Sequence, residues 1–498
     1  MKLQIEPRAS LLLTKVGSFL ASLNIESYLV GGFVRDILLG RDAGDIDIAV
    51  AGDALEIAPR VAATLEGKYV LLDKVNRVGR VMVNEGTPST RTQWQLDFAT
   101  LEGSIEQDLA RRDFTIDALA VDLKQLEGDY AAIQLIDPFN GQDDLQQSVI
   151  RAVAETAFTS DGARLLRAVR LAAELKFSIA DETKALIRRY CYLITDVAGE
   201  RVREDLLRLL AVPQAGQFLV CLEELGLLTA MIPELEQMKG IEQPKEHFWD
   251  VFAHSMETVA AVEFLLRQGD WKYASEEALA VAPWSSSLAQ HFDLEVGSGS
   301  TRGSLLKLAA LLHDIAKPQA RTIDEKGRMR FLGHAKEGAA LAACILERLR
   351  FSGKEIKLEE IVVRNHLRPM QMSHEGLPTR RAIYRYFRDT GEAGIDTLFL
   401  SMADHLATRG PHLNLSQWQE HTQLVEYVLR QRFQEESLVT PPKLVDGHDL
   451  INIFGMSPGL KIGELLETVR EAQAAGELTT REEALSYIRE HLLNKVGG

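Results

Sequence analysis

Asp45 and Asp47 stand two residues apart, and Asp97 follows on a later stretch of alternating pattern. Residues two apart on a strand project to one face, so both carboxylates of the first pair can hold hard divalent cations. Just upstream, Gly31 and Gly32 lie between a strand pattern and a helix pattern in Leu29-Val30-Gly31-Gly32-Phe33-Val34-Arg35-Asp36, where backbone N–H groups can approach a phosphate closely. Carboxylates converging beside such a turn suit a two-metal phosphoryl transfer, one ion activating the attacking hydroxyl and the other carrying the triphosphate. A solvated strand end is the plainer alternative, most of all for Asp97.

Asp161 and Arg164 stand three apart at a helix start, which puts them on one face. Cytosine and adenine each show an exocyclic amino donor beside a ring-nitrogen acceptor. A carboxylate with a guanidinium can therefore bond either base, while guanine and uracil present the reverse. An exposed ion pair at a Ser/Asp helix start is the structural alternative. Far downstream, His254, His313-Asp314 and Asp404 fall on separate helical segments, with His334 and His366 in the interval. Imidazoles and carboxylates brought together from several helices can share divalent metals, or each can simply pack.

The Gly-Gly-x-Val-Arg-Asp run followed by Asp-x-Asp resembles the nucleotidyltransferase superfamily of bacterial CCA-adding enzymes and poly(A) polymerases. Arg111-Arg112-Asp113-Phe114-Thr115-Ile116-Asp117-Ala118 is similar to that family's ribose-contacting second motif, with Asp117 where the family usually has Asn. Asp137-Pro138-Phe139-Asn140-Gly141 resembles the third, and equally reads as turn chemistry. Ser160-Asp161-Gly162-Ala163-Arg164 resembles the base-reading motif, with Ser160 in place of the usual leading Glu; residues 200–207 resemble the last neck motif.

The resemblance implies catalysis by Asp45, Asp47 and Asp97, with Mg²⁺ on the first two. It implies nucleotide binding at Gly31, Gly32, Arg35, Arg112, Asp113, Asp161, Arg164 and Arg167. The order His, His-Asp, Asp resembles the HD phosphohydrolases, implying a transition metal or Mg²⁺ on His254, His313, Asp314 and Asp404, with His334 and His366 serving a second ion. The expected activity is addition of CMP and/or AMP from CTP and ATP to tRNA 3′ ends, with the HD region hydrolysing phosphate there. Few residues separate Asp97 from Arg111, which resembles partial-activity or polyadenylating members. A poly(A) polymerase, an HD hydrolase with an RNA-binding head, and a silent RNA-binding adaptor are the alternatives.

The elements that must position these residues follow from pattern. Residues 1–26 read as one amphipathic helix, and strands are expected at 27–30, 45–50, 68–72, 80–84, 94–99, 118–122 and 132–135. This predicts an α+β chain: a mixed α/β nucleotidyltransferase head (1–150), an all-helical neck (151–232), an HD domain (233–435) with a surface insertion at 268–302, and a helical tail (436–498). With 498 residues, one core does not suffice.

The net charge of −16 excludes a uniformly basic coat, so RNA must meet local patches. Arg188/Arg189, Arg201/Arg203/Arg208 and the row Arg364, Arg368, Arg380, Arg381, Arg385, Arg388 are such patches or solvated helix faces. Three scattered cysteines form neither a zinc cage nor a disulfide framework, and the apolar run 11–13 is too short for a signal or a span. Both fit a cytoplasmic protein. The Gly455–Gly463 pattern reads as a helix–helix turn rather than a phosphate site.

Overall fold

The computed structural model describes residues 5–42, 44–85, 92–127, 133–297, 299–372, 376–434 and 441–494. The chain divides into two compact units, Met1–Val197 with Glu224–Ala230, and Ala198–Glu223 with Met231–Gly498. The division falls inside the stretch expected as a single neck.

In the first unit, β1 (Ser27–Val30), β2 (Ile46–Val50), β3 (Lys68–Asp73), β4 (Val78–Glu85), β5 (Thr92–Thr100), β6 (Ala120–Asp122) and β7 (Leu135–Ile136) form one sheet. Its order is β3-β4-β5-β2-β1-β6-β7. Only β2 and β5 run parallel, joined through the helix Ala54–Thr64 and the β3–β4 hairpin, as a parallel pair requires a long crossover. Ile46, Ile48 and Val50 are fully buried, whereas β3 is an exposed edge. The first helix is Pro7–Ser22, shorter than expected because Pro7 and the Glu6 side chain, which accepts from Ala9 N, set its start. Its buried stripe Ala9, Leu12, Leu13, Val16, Leu20 has the helical period.

Three expected strands shift. Asp45 sits at a bend before β2 instead of on it. Residues 118–119 follow a 3₁₀ turn, Thr115–Asp117, ahead of β6. Residue 132, expected in β7, lies outside the described residues. A short strand, Ser178–Ile179, pairs in parallel with Val149–Ile150 where helix alone was expected.

The second unit is helical around Arg302–Leu312, every residue of which is buried. A helix buried on all sides belongs at a core centre. Val251–Leu265, Gly353–Asn365 and Gly394–Arg409 pack around it. The stretch 268–302, expected as a surface insertion, is instead folded into this core. It forms helices Glu276–Ala280 and Ser286–Asp293, Ala278 O accepts from Trp418 Nε1 at 2.8 Å, and Phe292 stacks on Trp284 and meets Phe399 edge-on. Ser275 and Ser285 cap its short helices and Pro283 separates them, which a loop-like composition conceals.

The tail helices Gly447–Phe454, Leu460–Ala475 and Arg481–Asn494 bury their own small core, including Leu450, Val469, Ala484 and Ile488. Residues 435–440, which include most of the expected helix break, lie outside the described residues. Gly455 closes the first tail helix in left-handed conformation, so the Gly455–Gly463 pattern does make a helix–helix turn. Arg381, Arg385 and Arg388 pair with Glu477, Glu471 and Glu467 of the tail. These cations, open to an RNA backbone in the sequence, are engaged by carboxylates. Among the described residues no helix is long and apolar enough to cross a membrane.

Candidate functional site

On β2, Asp47 stands opposite Val30 of β1 and opposite Asp97 of β5. Arg80 of β4 faces Asp97 from the other side, Nε donating to Oδ1 at 2.7 Å and Nη2 to Oδ2 at 2.8 Å. The same Nη2 lies 3.7 Å from Asp45 Oδ2, so the three acids share one small region. Burial pushes the Asp47 carboxyl up to about 6; Arg112 pulls against this while Asp97 and Asp45 add to it. A half-buried carboxylate raised first by desolvation and then by like-charged neighbours fits a site completed by a cation.

Gly31 starts the helix Gly32–Leu38 with φ +75°, and a Cβ there would lie 2.9 Å from Arg112 Nη1 and 3.1 Å from Asp47 Oδ2. The glycine lets the backbone approach both groups. Asp108, buried on the helix Ile105–Ala110, accepts from Arg112 at 3.3 Å. Asp113 pairs with Arg167 Nε at 3.0 Å. Arg35 is turned inward, paired with Asp36 and with buried Asp117 at 2.7 Å, so its guanidinium braces the glycine turn. Asp117 thus has an ionic partner that Asn would bind less strongly. Burial nonetheless pushes its carboxyl up, against the pull of Arg35.

Asp137 accepts from the N–H groups of Gly141 and Gln142 at 2.7 and 3.0 Å, and a Cβ on Gly141 would lie 2.2 Å from Thr115 O. The third motif therefore makes the turn its composition implies and presses it against the second motif. Asp161 lies in extended conformation and accepts from Ala163 N at 3.1 Å. Arg164 Nη1 reaches Arg111 O at 3.1 Å, Ala157 O at 3.2 Å and Ser160 Oγ at 3.4 Å. The Ser160 hydroxyl is thus one of the groups that steady Arg164.

In the second unit, His254 Nε2 lies 3.1 Å from Asp404 Oδ1, 3.3 Å from His313 Nε2 and 3.5 Å from Asp314 Oδ2. Asp314 Oδ1 lies 3.3 Å from His334 Nε2 and 3.8 Å from His366 Nε2. All six side chains are buried, and five of them form two groups sharing Asp314, namely His254-His313-Asp314 and Asp314-His334-His366, with Asp404 beside His254. Nδ1 of His313, His334 and His366 each meets a carbonyl three residues back, at 2.8, 2.6 and 2.6 Å, which turns Nε2 inward toward the cluster.

Burial pushes His366 down to about 4, keeping it neutral. Burial also acts on Asp314, but His313 and Lys317 outweigh it and hold the carboxyl well below the usual range. Asp314 Oδ1 and His334 Nε2 are buried without a hydrogen bond among the described residues, as ligands awaiting a divalent ion would be, while Asp314 Oδ2 is held by Lys317. The group opens on a cleft of about 420 Å³ lined by His247, Lys317, Arg330 and Phe331.

A family model for the poly A polymerase head domain matches residues 27–151, one for a probable RNA-binding site of polymerase A matches 176–239, and the HD domain model matches 276–409. A further model, tRNA nucleotidyltransferase domain 2, matches 354–488. An A-adding tRNA nucleotidyltransferase from Deinococcus radiodurans is 33% identical over 467 residues, 93% of this chain and 94% of its own. A CC-adding tRNA nucleotidyltransferase from Thermus thermophilus is 32% identical over 476 residues, 93% of each chain. This chain belongs to the tRNA nucleotidyltransferase family.

Its fold is also similar to the Thermotoga maritima CCA-adding enzyme complexed with tRNA, TM-score 0.62 at 23% identity over 99% of each chain. In this tRNA nucleotidyltransferase family member, Gly31→Ala is expected to cost about 1–3 kcal/mol through its positive φ with extended ψ alone. Because the new Cβ displaces Asp47 or Arg112, nucleotide addition should fall by at least about tenfold, one such factor for each ~1.4 kcal/mol at the reacting geometry. Thermal unfolding and primer extension read the two effects separately. Sequence reasoning missed Arg80, whose partner lies on the neighbouring strand, and Lys317, whose Nζ is 2.6 Å from Asp314 Oδ2. Lys317 had a signal: it is three residues past Asp314.

Proposed function

We propose that the chain adds CMP from CTP to tRNA 3′ ends, building CC and leaving the terminal A to another activity. The observation carrying this is the connection from Asp97-bearing β5 to the helix Ile105–Ala110. It is only residues 101–104, closed by a Ser104–Gln107 capping box; this shortness resembles partial-activity or polyadenylating members of the family, many CCA-adding enzymes carrying a longer loop there. Three relatives matched over 91–95% of their own length are CC-adding. Asp161 and Arg164 would accept and donate to the cytosine edge, and Arg112, Asp113 and Arg167 would orient sugar and phosphates.

Asp45 and Asp47 would hold Mg²⁺, which supplies charge neutralisation to the triphosphate and acidifies the primer hydroxyl. Gly31 and Gly32 would bring backbone N–H groups to the phosphates. In the second unit, His254, His313, Asp314 and Asp404, with His334 and His366, would hold a transition metal or Mg²⁺ for phosphate hydrolysis. Free cysteines and a tRNA substrate fit a cytoplasmic location.

Asp47 carries a pH signature. Its folded value of about 6 exceeds the ordinary 3.8, so the folded state binds more protons in that window and the metal-free head loses stability as pH rises through it. Mg²⁺ must displace that proton, so its affinity should fall about tenfold per unit below pH ~6 and be level above. The rise in unfolding temperature on adding Mg²⁺ should be larger at pH 7.5 than at pH 5, with Asp47→Asn subtracting the contribution of the HD cluster.

Primer extension tests the central reading, using tRNAs ending before the first C, after CC, or at complete CCA, with CTP and ATP singly and together. Addition of two C residues followed by arrest is the expected result. Addition of A alone to the CC end, for which the Deinococcus relative is the precedent, or unlimited A addition would overturn CC synthesis while keeping nucleotidyl transfer.

A further inference from the structure

Asp97, the third carboxylate of the head, already has a cation. The antiparallel register of β4 and β5 sets Arg80 opposite Asp97, and the guanidinium fork closes on both carboxylate oxygens at 2.7 and 2.8 Å. Nη1 is tied to Gln95, two residues earlier on β5 and therefore on the same face. The two side chains are only 25% and 16% exposed. A bidentate, charge-assisted pair shielded to this degree is stronger and better oriented than a surface ion pair. A metal ion drawing on an Asp97 lone pair would have to loosen that fork.

We propose that Arg80 is a positioning residue standing in for one of the two ions of a three-carboxylate site, so that the head takes a single divalent ion on Asp45 and Asp47. This rests on the nucleotidyl-transfer reading of the head. Asp97 then serves as a fixed acceptor rather than a ligand. Nη2, 3.7 Å from Asp45 Oδ2, also restrains the outer of the two remaining acids.

The test counts Mn²⁺ bound to the full-length protein by electron paramagnetic resonance at saturating CTP without RNA, so that no transfer occurs. Arg80→Ala is expected to bind one more Mn²⁺ per chain than wild type, and Asp97→Asn added to Arg80→Ala to remove that extra ion. The HD cluster is common to all three proteins and cancels. Equal counts in wild type and Arg80→Ala overturn the proposal, as does an extra ion that survives Asp97→Asn. Arg80→Gln, longer and still polar, serves if the alanine variant does not fold. Primer extension supplies a second reading: its rate should depend on free Mg²⁺ to first order in wild type and to second order in Arg80→Ala. First order in both overturns the proposal. Absence of any extension by wild type would instead overturn the nucleotidyl-transfer reading itself.

Discussion

Asp47→Asn is expected to lower nucleotide addition by about 10³-fold or more while leaving the fold intact. The side chain keeps its shape and its place opposite Asp97 and Val30, so packing in β2 is preserved. What disappears is the charge. An amide is a poor ligand for a hard cation, and loss of about 4 kcal/mol of transition-state stabilisation corresponds to about 10³ in rate. The sign of the stability change separates this from a folding defect. Burial holds the Asp47 carboxyl at about 6, so above that pH ionisation opposes folding in the metal-free protein. Asn lifts that cost, and the metal-free variant should unfold at the same temperature as wild type or higher. A CMP-addition rate within about tenfold of wild type at saturating Mg²⁺ would remove Asp47 from the transfer site.

The parts of the head legible in the sequence are those whose chemistry is local. Gly31-Gly32 and Asp45/Asp47 are separated by one helix and one bend, and their spacing alone brings them to adjacent strands. Arg80 was not legible. It meets Asp97 across 17 residues through a hairpin register, and register depends on which strands pair, which one sequence does not display. The same holds for Arg35 and Asp117, 82 residues apart. Arg35 in a phosphate-binding motif suggests a ligand contact, yet it is spent on two internal carboxylates, and Asp117 finds its reason there.

In the second unit the order of His254, His313-Asp314, His334, His366 and Asp404 was legible because each lies on a helix or in the turn that ends one. Their assembly around Asp314 follows from packing those helices. The stretch 268–302 was not, because short capped helices share their composition with loops. Trp284, Phe292 and Trp418 reveal a core only once paired. The arginine row at 381–388 shows the converse. Basic periodicity on a helix face is real, but the glutamates that answer it come from the tail, about 80 to 95 residues later.

Lys307→Met carries the largest expected stability effect. Lys307 is 1% exposed inside the all-buried helix Arg302–Leu312, and its Nζ donates to Leu210 O, Val212 O and Glu263 Oε1, each at 2.9 Å. Glu263 in turn accepts from Ala215 N at 2.5 Å and Gly216 N at 3.0 Å. The pair thus satisfies the backbone leaving the helix Gly199–Ala211, whose last carbonyls have no partner within the helix. Burial pulls the lysine down and Glu263 holds it up, so the ammonium depends on that carboxylate. Removing Lys307 alone leaves Glu263 charged and buried, a loss of about 3–5 kcal/mol.

The double variant Lys307→Met with Glu263→Leu should lose less than the two single losses combined, because no charge is stranded. It should still fall below wild type, because Leu210 O, Val212 O and two N–H groups lose their partners at roughly 1–3 kcal/mol for each buried group left unmade. Urea unfolding of the four proteins of this cycle reads the coupling directly. Additive losses would mean that the ammonium and carboxylate act separately, each through its own backbone partners. Strong coupling would make the buried pair the hinge on which the helix Gly199–Ala211 is fastened to the helices that carry the HD ligands.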